Sequence, residues 1–167
     1  MQMETLEYWD LFDRNGNSLK RTGIRGLTKA GEYHIVVNIW IKNDEDKIIL
    51  TKRHPDKPWP GKWECTGGSV LAGEDSISGA IREVKEETGF DIRKVKLIER
   101  IIRDEYPDFM DVYLCTDKVS IEKAILQEGE VTDIKWFTKD EIRSMAEAKE
   151  LAEPLNYIID YLDKGII

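Results

Sequence analysis

The 167 residues include only two cysteines and two histidines, and no apolar run is long enough to span a bilayer. Cys65 and Cys115 lack the paired spacing of a zinc ligand set, and a chain of this size needs no disulfide to fold. A reducing, cytoplasmic setting is therefore expected. No stretch approaches the about 20 apolar residues of a membrane helix, and the acidic N-terminus lacks the basic start of a secretory signal. Positive charge is also scarce: 25 Lys and Arg against 33 Asp and Glu leave a formal charge of −8. That balance disfavours tight nonspecific binding to nucleic-acid backbones or acidic membranes. It leaves room for a small phosphorylated substrate, because a bound divalent ion reverses the local potential. Repeats and low-complexity tracts are absent. What remains is 41% hydrophobic and 35% charged, with five Trp, six Tyr and four Phe, enough for one domain with a real core.

Tyr8–Leu19 predicts a short hairpin, with YWDLF leading into a turn at Asp13–Asn17 that holds an Asn-Gly pair. A polar, basic connection is expected from Lys20 to Lys29. Residues 1–31 thus form an N-terminal extension, ahead of a main domain at 32–167. Such an extension would cover a sheet edge or supply a homodimer contact. His34–Ile41 and Lys47–Thr51 predict strands, and the proline-rich Pro55–Gly61 a loop. Ala72–Thr88 contains a helix with Ile77, Ala80, Ile81 and Val84 on its apolar face and Gly89 as its stop. Further strands are expected at Val95–Arg103, Asp111–Asp117 and Asp133–Phe137, and amphipathic helices at Lys139–Glu150 and Pro154–Leu162. The order implies a layered α/β domain of mixed topology.

The segment GGSVLAGEDSISGAIREVKEETGF, Gly67–Phe90, concentrates the chemistry. Glu83, Glu86 and Glu87 stand at helical offsets of three and four, so their carboxylates share one face and can share a cation. Adjacent like charges repel, which gives the arrangement a cost that a bound metal would offset. Their oxygens suit Mg²⁺ or Mn²⁺. The glycines before the helix permit a tight turn and let a backbone carbonyl approach the same ion. Arg82 can pair with Glu86 one turn on. Bound metal would neutralise a diphosphate and lower the pKa of an attacking water, while one glutamate takes its proton. Taken alone, such a helix also reads as a solvated face laced with ion pairs.

Gly68, Glu74, Arg82, Glu83, Val84, Glu86, Glu87, Gly89 and Phe90 occupy every fixed position of the pattern GX5EX7REVXEEXGF, which resembles the signature of the Nudix hydrolase superfamily. The resemblance implies an α/β fold, a Nudix-like α/β/α sandwich with a mixed β-sheet, in which the signature forms a loop–helix–loop. It also implies metal ligation by Glu83, Glu86 and Glu87, joined by the Gly68 carbonyl, with Glu83 or Glu86 as base. Arg82 would orient the carboxylates and Glu74 would support the loop. An additional carboxylate outside the signature is expected, Glu130 first, with Glu105 and Asp111 behind it. The function implied is metal-dependent hydrolysis of a nucleoside diphosphate or a derivative of one, by water attack on phosphorus. No stable nucleic-acid complex and no membrane association are expected.

Substrate selection is less determined. Lys52 and Arg53 can meet phosphate oxygens or simply end a solvated strand. Trp59, Trp63, Phe109 and Tyr113 can stack on a base or anchor the core and loops. GEYHIVVNIWI, LTKRHPDKPWPGKW and the signature together resemble the branch containing isopentenyl-diphosphate isomerase, in which the histidine matching His34 is a metal ligand. The isomerase cysteine falls at Gly67 here, its following histidine at Ser69 and its earlier histidine ligand at Leu27. Cys65 lies two residues before Gly67, about 7 Å along a strand. Isomerase activity and a non-catalytic nucleotide-sensing domain are the alternatives to hydrolysis.

Overall fold

The structure, a computed structural model, describes residues 6–167. The chain opens with a hairpin of β1 (Tyr8–Phe12) and β2 (Ser18–Ile24). The Asp13 carboxylate closes its turn by accepting from the backbone N–H groups of Asn15 and Asn17, each at 2.9 Å. The second strand runs on to Ile24, through the segment expected to be an open connection. Pairing with β1, from Tyr8 opposite Ile24 to Phe12 opposite Ser18, supplies ladder hydrogen bonds whatever the side-chain polarity. Then come β3 (His34–Ile41), β4 (Ile48–Arg53), β5 (Trp63–Glu64) and β6 (Thr66–Ser69). Helix α1 (Ser76–Thr88) leads to β7 (Val95–Arg103), β8 (Asp108–Cys115) and β9 (Val131–Phe137). The chain closes with α2 (Lys139–Glu147), a 3₁₀ turn at Glu153–Leu155 and α3 (Ile158–Asp163).

The central sheet has the order β6-β3-β8-β7, with β3 and β8 parallel and the outer pairs antiparallel. A second, antiparallel sheet has the order β5-β4-β9. Strand β3 is apolar on both faces because both are covered. Val37, Ile39 and Ile41 pack with Ala80 and Val84 of α1, whereas Trp40 packs among Ile142 and Met145 of α2 and Ile158 and Leu162 of α3. Strand β4 divides in the same way, Ile49 toward the α1 side and Ile48 and Leu50 toward the other. The result is the α/β/α sandwich with mixed sheet implied by the signature. Burying each large apolar side chain contributes about 1.5–3 kcal/mol.

Local signals set the ends of α1. Asp75 accepts from the Ser78 N–H at 2.8 Å, an N-cap that starts the helix at Ser76 rather than in the glycine turn before it. Gly89 ends it in the left-handed conformation, φ 76°, and a Cβ there would meet Ile125 at 3.1 Å. Ala80 and Val84 are buried as expected, but Ile77, expected on the apolar face, is exposed. It occupies the first turn, beyond the reach of the sheet. Pro154 enters the 3₁₀ turn, and the final helix is therefore shorter than its apolar pattern predicts. No helix among the described residues is long and apolar enough to cross a membrane.

The hairpin is tied down in two places. Phe12 and Tyr33 exchange backbone hydrogen bonds at 2.8 and 2.9 Å, and Trp9 stacks on His34 with ring centroids 4.0 Å apart. Ahead of α1, the Ala72 N–H donates to the Tyr8 carbonyl at 2.8 Å and the Gly73 N–H to the Asp10 carboxylate at 2.9 Å. Across the sandwich, the Tyr157 hydroxyl accepts from Asn38 Nδ2 and Trp40 Nε1, each at 2.9 Å. Tyr157→Phe strips a buried indole N–H of its acceptor and is expected to lower unfolding free energy by about 1–3 kcal/mol in urea titrations. An unchanged denaturation midpoint would show that this bond contributes nothing.

Candidate active site

Gly68 lies in β6 and the acidic residues lie on the face of α1 turned toward that strand. This close approach requires the glycine: a Cβ at Gly68 would collide with the Glu83 carboxylate. Arg82 ties the two elements together. Its Nε and Nη2 donate to the two oxygens of Glu74 at 2.7 and 3.0 Å, and Nη2 also donates to the Ser69 carbonyl at 2.8 Å. Its Nη1 donates to Glu83 Oε1 at 2.8 Å and Glu86 Oε2 at 3.0 Å. Glu74 in turn accepts from the Leu71 N–H at 2.9 Å, which fixes the turn preceding the helix. One guanidinium thus sets strand, turn and two carboxylates in register.

The three glutamates differ in environment. Glu86 is 45% exposed and reaches solvent, whereas Glu87 is 3% exposed. Burial, with Glu64 and Glu83 nearby, raises the Glu87 carboxyl well above its ordinary value, and its Oε2 has no hydrogen-bond partner among the described residues. Burial also raises Glu83, against the pull of Arg82. Among the described residues no three acidic, His or Cys side chains already form a ligand cluster, and Arg82 engages Glu83 and Glu86. The unpartnered, desolvated oxygen of Glu87 beside those carboxylates and the bare backbone of Gly68 nevertheless suit a hard divalent cation.

These residues line a cavity of about 170 Å³ together with Arg53, Lys57 and Glu130. Of the residues singled out in the sequence, Gly68, Glu83, Glu86, Glu87, Glu130 and Arg53 thus come together. Arg53 is committed: its Nη1 donates to both oxygens of Glu64 at 2.7 and 2.6 Å and its Nε to the Pro58 carbonyl at 2.6 Å. Lys57 is ion-paired with Glu130.

Other candidates lie elsewhere. Lys52 stands over the Trp63 ring at 5.8 Å, and Trp63 packs edge-on against Phe137 at 5.0 Å, toward α2. Trp59 lies on the outer side of Arg53, 5.8 Å from its guanidinium, with Tyr106 at 6.3 Å. Phe109 is buried beneath Phe12 and Tyr33. Tyr113 is buried too, donating to Ser76 at 3.0 Å. Asp111 is buried in a two-bond pair with Arg100 at 2.6 and 2.7 Å, and Glu105 lines a separate cleft with Tyr106 and Pro154. The His34 pKa is lowered to about 4, chiefly by burial, and its ring faces Trp9 outside the carboxylate cavity. Cys65 is buried and its thiol is pushed well up.

Sequence reading missed Glu64, Lys57, Gln127, Glu7 and Arg25 as neighbours of the cavity. Glu64, two residues before Thr66, carried the one usable signal: an acidic side chain between Trp63 and the buried Cys65. A carboxyl raised by folding is destabilising once ionised. The effect is small below the unfolded value near 4.5, grows as pH rises above it and levels off above the higher folded value. Glu87→Gln is therefore expected to raise the melting temperature in EDTA at pH 8 more than at pH 5. Equal shifts at the two pH values would contradict the assignment of burial strain to Glu87.

Residues 32–161 match the NUDIX domain family model. The chain is 34% identical over 148 residues to the Nudix hydrolase lin0387 of Listeria innocua, covering 87% of this chain and 88% of the relative. It is 30% identical over 145 residues to an ADP-ribose pyrophosphatase of Bacillus subtilis, covering 80% and 77% respectively. Its fold matches the crystal structure of DR0079 from Deinococcus radiodurans with a TM-score of 0.75 at 20% identity, over 92% of this chain and 98% of the other. With the signature helix, the glycine strand and the sandwich around them all in place, the chain belongs to the Nudix hydrolase family.

Proposed function

We propose that the protein hydrolyses the phosphoanhydride bond of a nucleoside diphosphate or a nucleoside diphosphate derivative, with Mg²⁺ or Mn²⁺ as cofactor. The observation that carries this reading is the buried, unpartnered Glu87 oxygen beside Glu83, Glu86 and the Gly68 backbone. Glu83, Glu86 and Glu87 would hold the ion with the Gly68 carbonyl, and Glu130 lies on the same cavity to complete the set. When bound, such an ion neutralises diphosphate charge and acidifies water.

The chain's own residues do the rest. Arg82, anchored on Glu74 and Ser69, holds Glu83 and Glu86 at the cavity, Glu83 largely buried and Glu86 open to solvent. Either glutamate can take the proton of an attacking water: Glu83 by its raised basicity, Glu86 by its access to solvent. Burial keeps the Glu87 carboxyl protonated to higher pH, and once it ionises to meet a cation the low-dielectric wall makes its charge act strongly. The isomerase alternative lacks acid or base groups at Gly67 and Ser69, and Cys65 is buried with a raised pKa. The name of the Bacillus subtilis relative adds ADP-ribose to the substrates worth assaying.

The purified protein, incubated with Mg²⁺ and nucleoside diphosphates, ADP-ribose and isopentenyl diphosphate, is expected to release phosphate products from at least one nucleotide. Turnover of no diphosphate would defeat the proposal, and isomerisation alone would favour the other enzyme. Glu86→Gln is expected to lower kcat by about 10²–10⁴, with melting nearly unchanged. A kcat within twofold of wild type would remove Glu86 from the mechanism.

A further inference from the structure

The carboxylate cavity has a wall that the family match does not include. Arg25, at the exit of β2, and Glu7, at the entry of β1, line it together with Gly68 and Glu83, although both precede residue 32 where the match begins. The same two residues, with Lys57 and Glu130, also line an adjoining groove of about 490 Å³ whose apolar sides are Leu6, Ile24 and Pro58. Arg25 and Lys57 therefore stand at the junction of the two spaces, one contributed by the hairpin and the other by the proline-rich loop.

The cations bordering the cavity are not equivalent. Arg53 is largely buried, with Nε and Nη1 held by Pro58 and Glu64, and Lys57 is paired with Glu130. Arg25 is 66% exposed, and among the described residues its side chain meets only Glu7, through Nη1 at 3.3 Å. Its guanidinium keeps free N–H groups with the planar fork that suits phosphate oxygens. A diphosphate entering a cavity walled by glutamates is repelled wherever no positive charge compensates. The phosphate nearest α1 would be compensated by the ion held there, but the other phosphate would have no partner on that helix.

We propose that Arg25 is a substrate-positioning residue: it binds the phosphate remote from the α1 carboxylates, with the substrate's organic portion passing into the groove between the hairpin and the loop at 55–60. The N-terminal hairpin is thereby part of the binding site. This subsite rests on the diphosphate reading above, and the test separates the two.

Wild type, Arg25→Ala, Arg25→Lys and Glu7→Gln are compared in steady-state hydrolysis of the best nucleotide and in calorimetric titration with inorganic pyrophosphate in MgCl₂. Arg25→Ala is expected to raise KM and the pyrophosphate Kd about tenfold or more, with a much smaller fall in kcat. Arg25→Lys should recover part of the loss, and Glu7→Gln, which removes a competing carboxylate, should tighten pyrophosphate binding. An Arg25→Ala protein that melts like wild type and keeps its KM and Kd overturns the subsite. If wild type hydrolyses nothing, the hydrolase reading fails, but pyrophosphate titration still decides: binding that depends on Arg25 upholds the subsite, and binding that ignores it, or no binding, overturns it. Should Arg25→Ala not fold, an unchanged or weaker Kd in Glu7→Gln overturns it equally.

Discussion

A single guanidinium organises this molecule's chemistry. Arg82 bonds Glu74 through two nitrogens, caps the Ser69 carbonyl and reaches both Glu83 and Glu86. Without it, carboxylates on adjacent turns would repel and splay toward water, and nothing would lock the turn before α1 to the strand it crosses. The network is half-buried, so it is neither a weakly coupled surface pair nor a fully desolvated one. Its strength comes from the number of charge-assisted bonds converging on one planar group, each restricting the rotamers of the others. Glu87, which Arg82 does not touch, is desolvated by burial instead.

The sandwich serves this register by fixing strand and helix from behind. Val37, Ile39 and Ile41 press on Ala80 and Val84 from one side, while Trp40, Ile142 and Ile158 fill the other. The distance between β6 and α1 is then set by packing rather than by charge. Gly68 uses that fixed distance: with no side chain of its own, it brings main-chain atoms within reach of a carboxylate that any Cβ would displace. Rigid apolar layers and one bare residue together place polar oxygen atoms that would otherwise avoid one another.

The fold was readable wherever a period or a cap declared it. Strand β3, the span of β7, the Gly89 stop and the common face of Glu83, Glu86 and Glu87 all follow from local pattern, and the structure contains them. What the sequence hid was long-range. Phe109 looks like a stacking platform until Phe12 and Tyr33 are seen to cover it. Trp63 faces α2 because Trp63 and Ala152 meet through a backbone bond at 2.9 Å, a contact across most of the domain. From Lys20 on, β2 reads as a connection because its ladder partner supplies stability that its own polar composition does not advertise. Arg25 and Glu7 belong to the cavity through tertiary docking alone.

The hairpin's moorings beside α1 include a main-chain atom: the Tyr8 carbonyl receives the Ala72 N–H, and the Asp10 side chain accepts from Gly73 nearby. An anchor of that kind is indifferent to the exposed letters of β1 and β2, while the buried Trp9 and Leu11 hold the hairpin to the core. Residues of the wall can therefore be exchanged with little disturbance to the catalytic helix, and enzymes of this architecture can diverge in what they accept while keeping the way they cleave it.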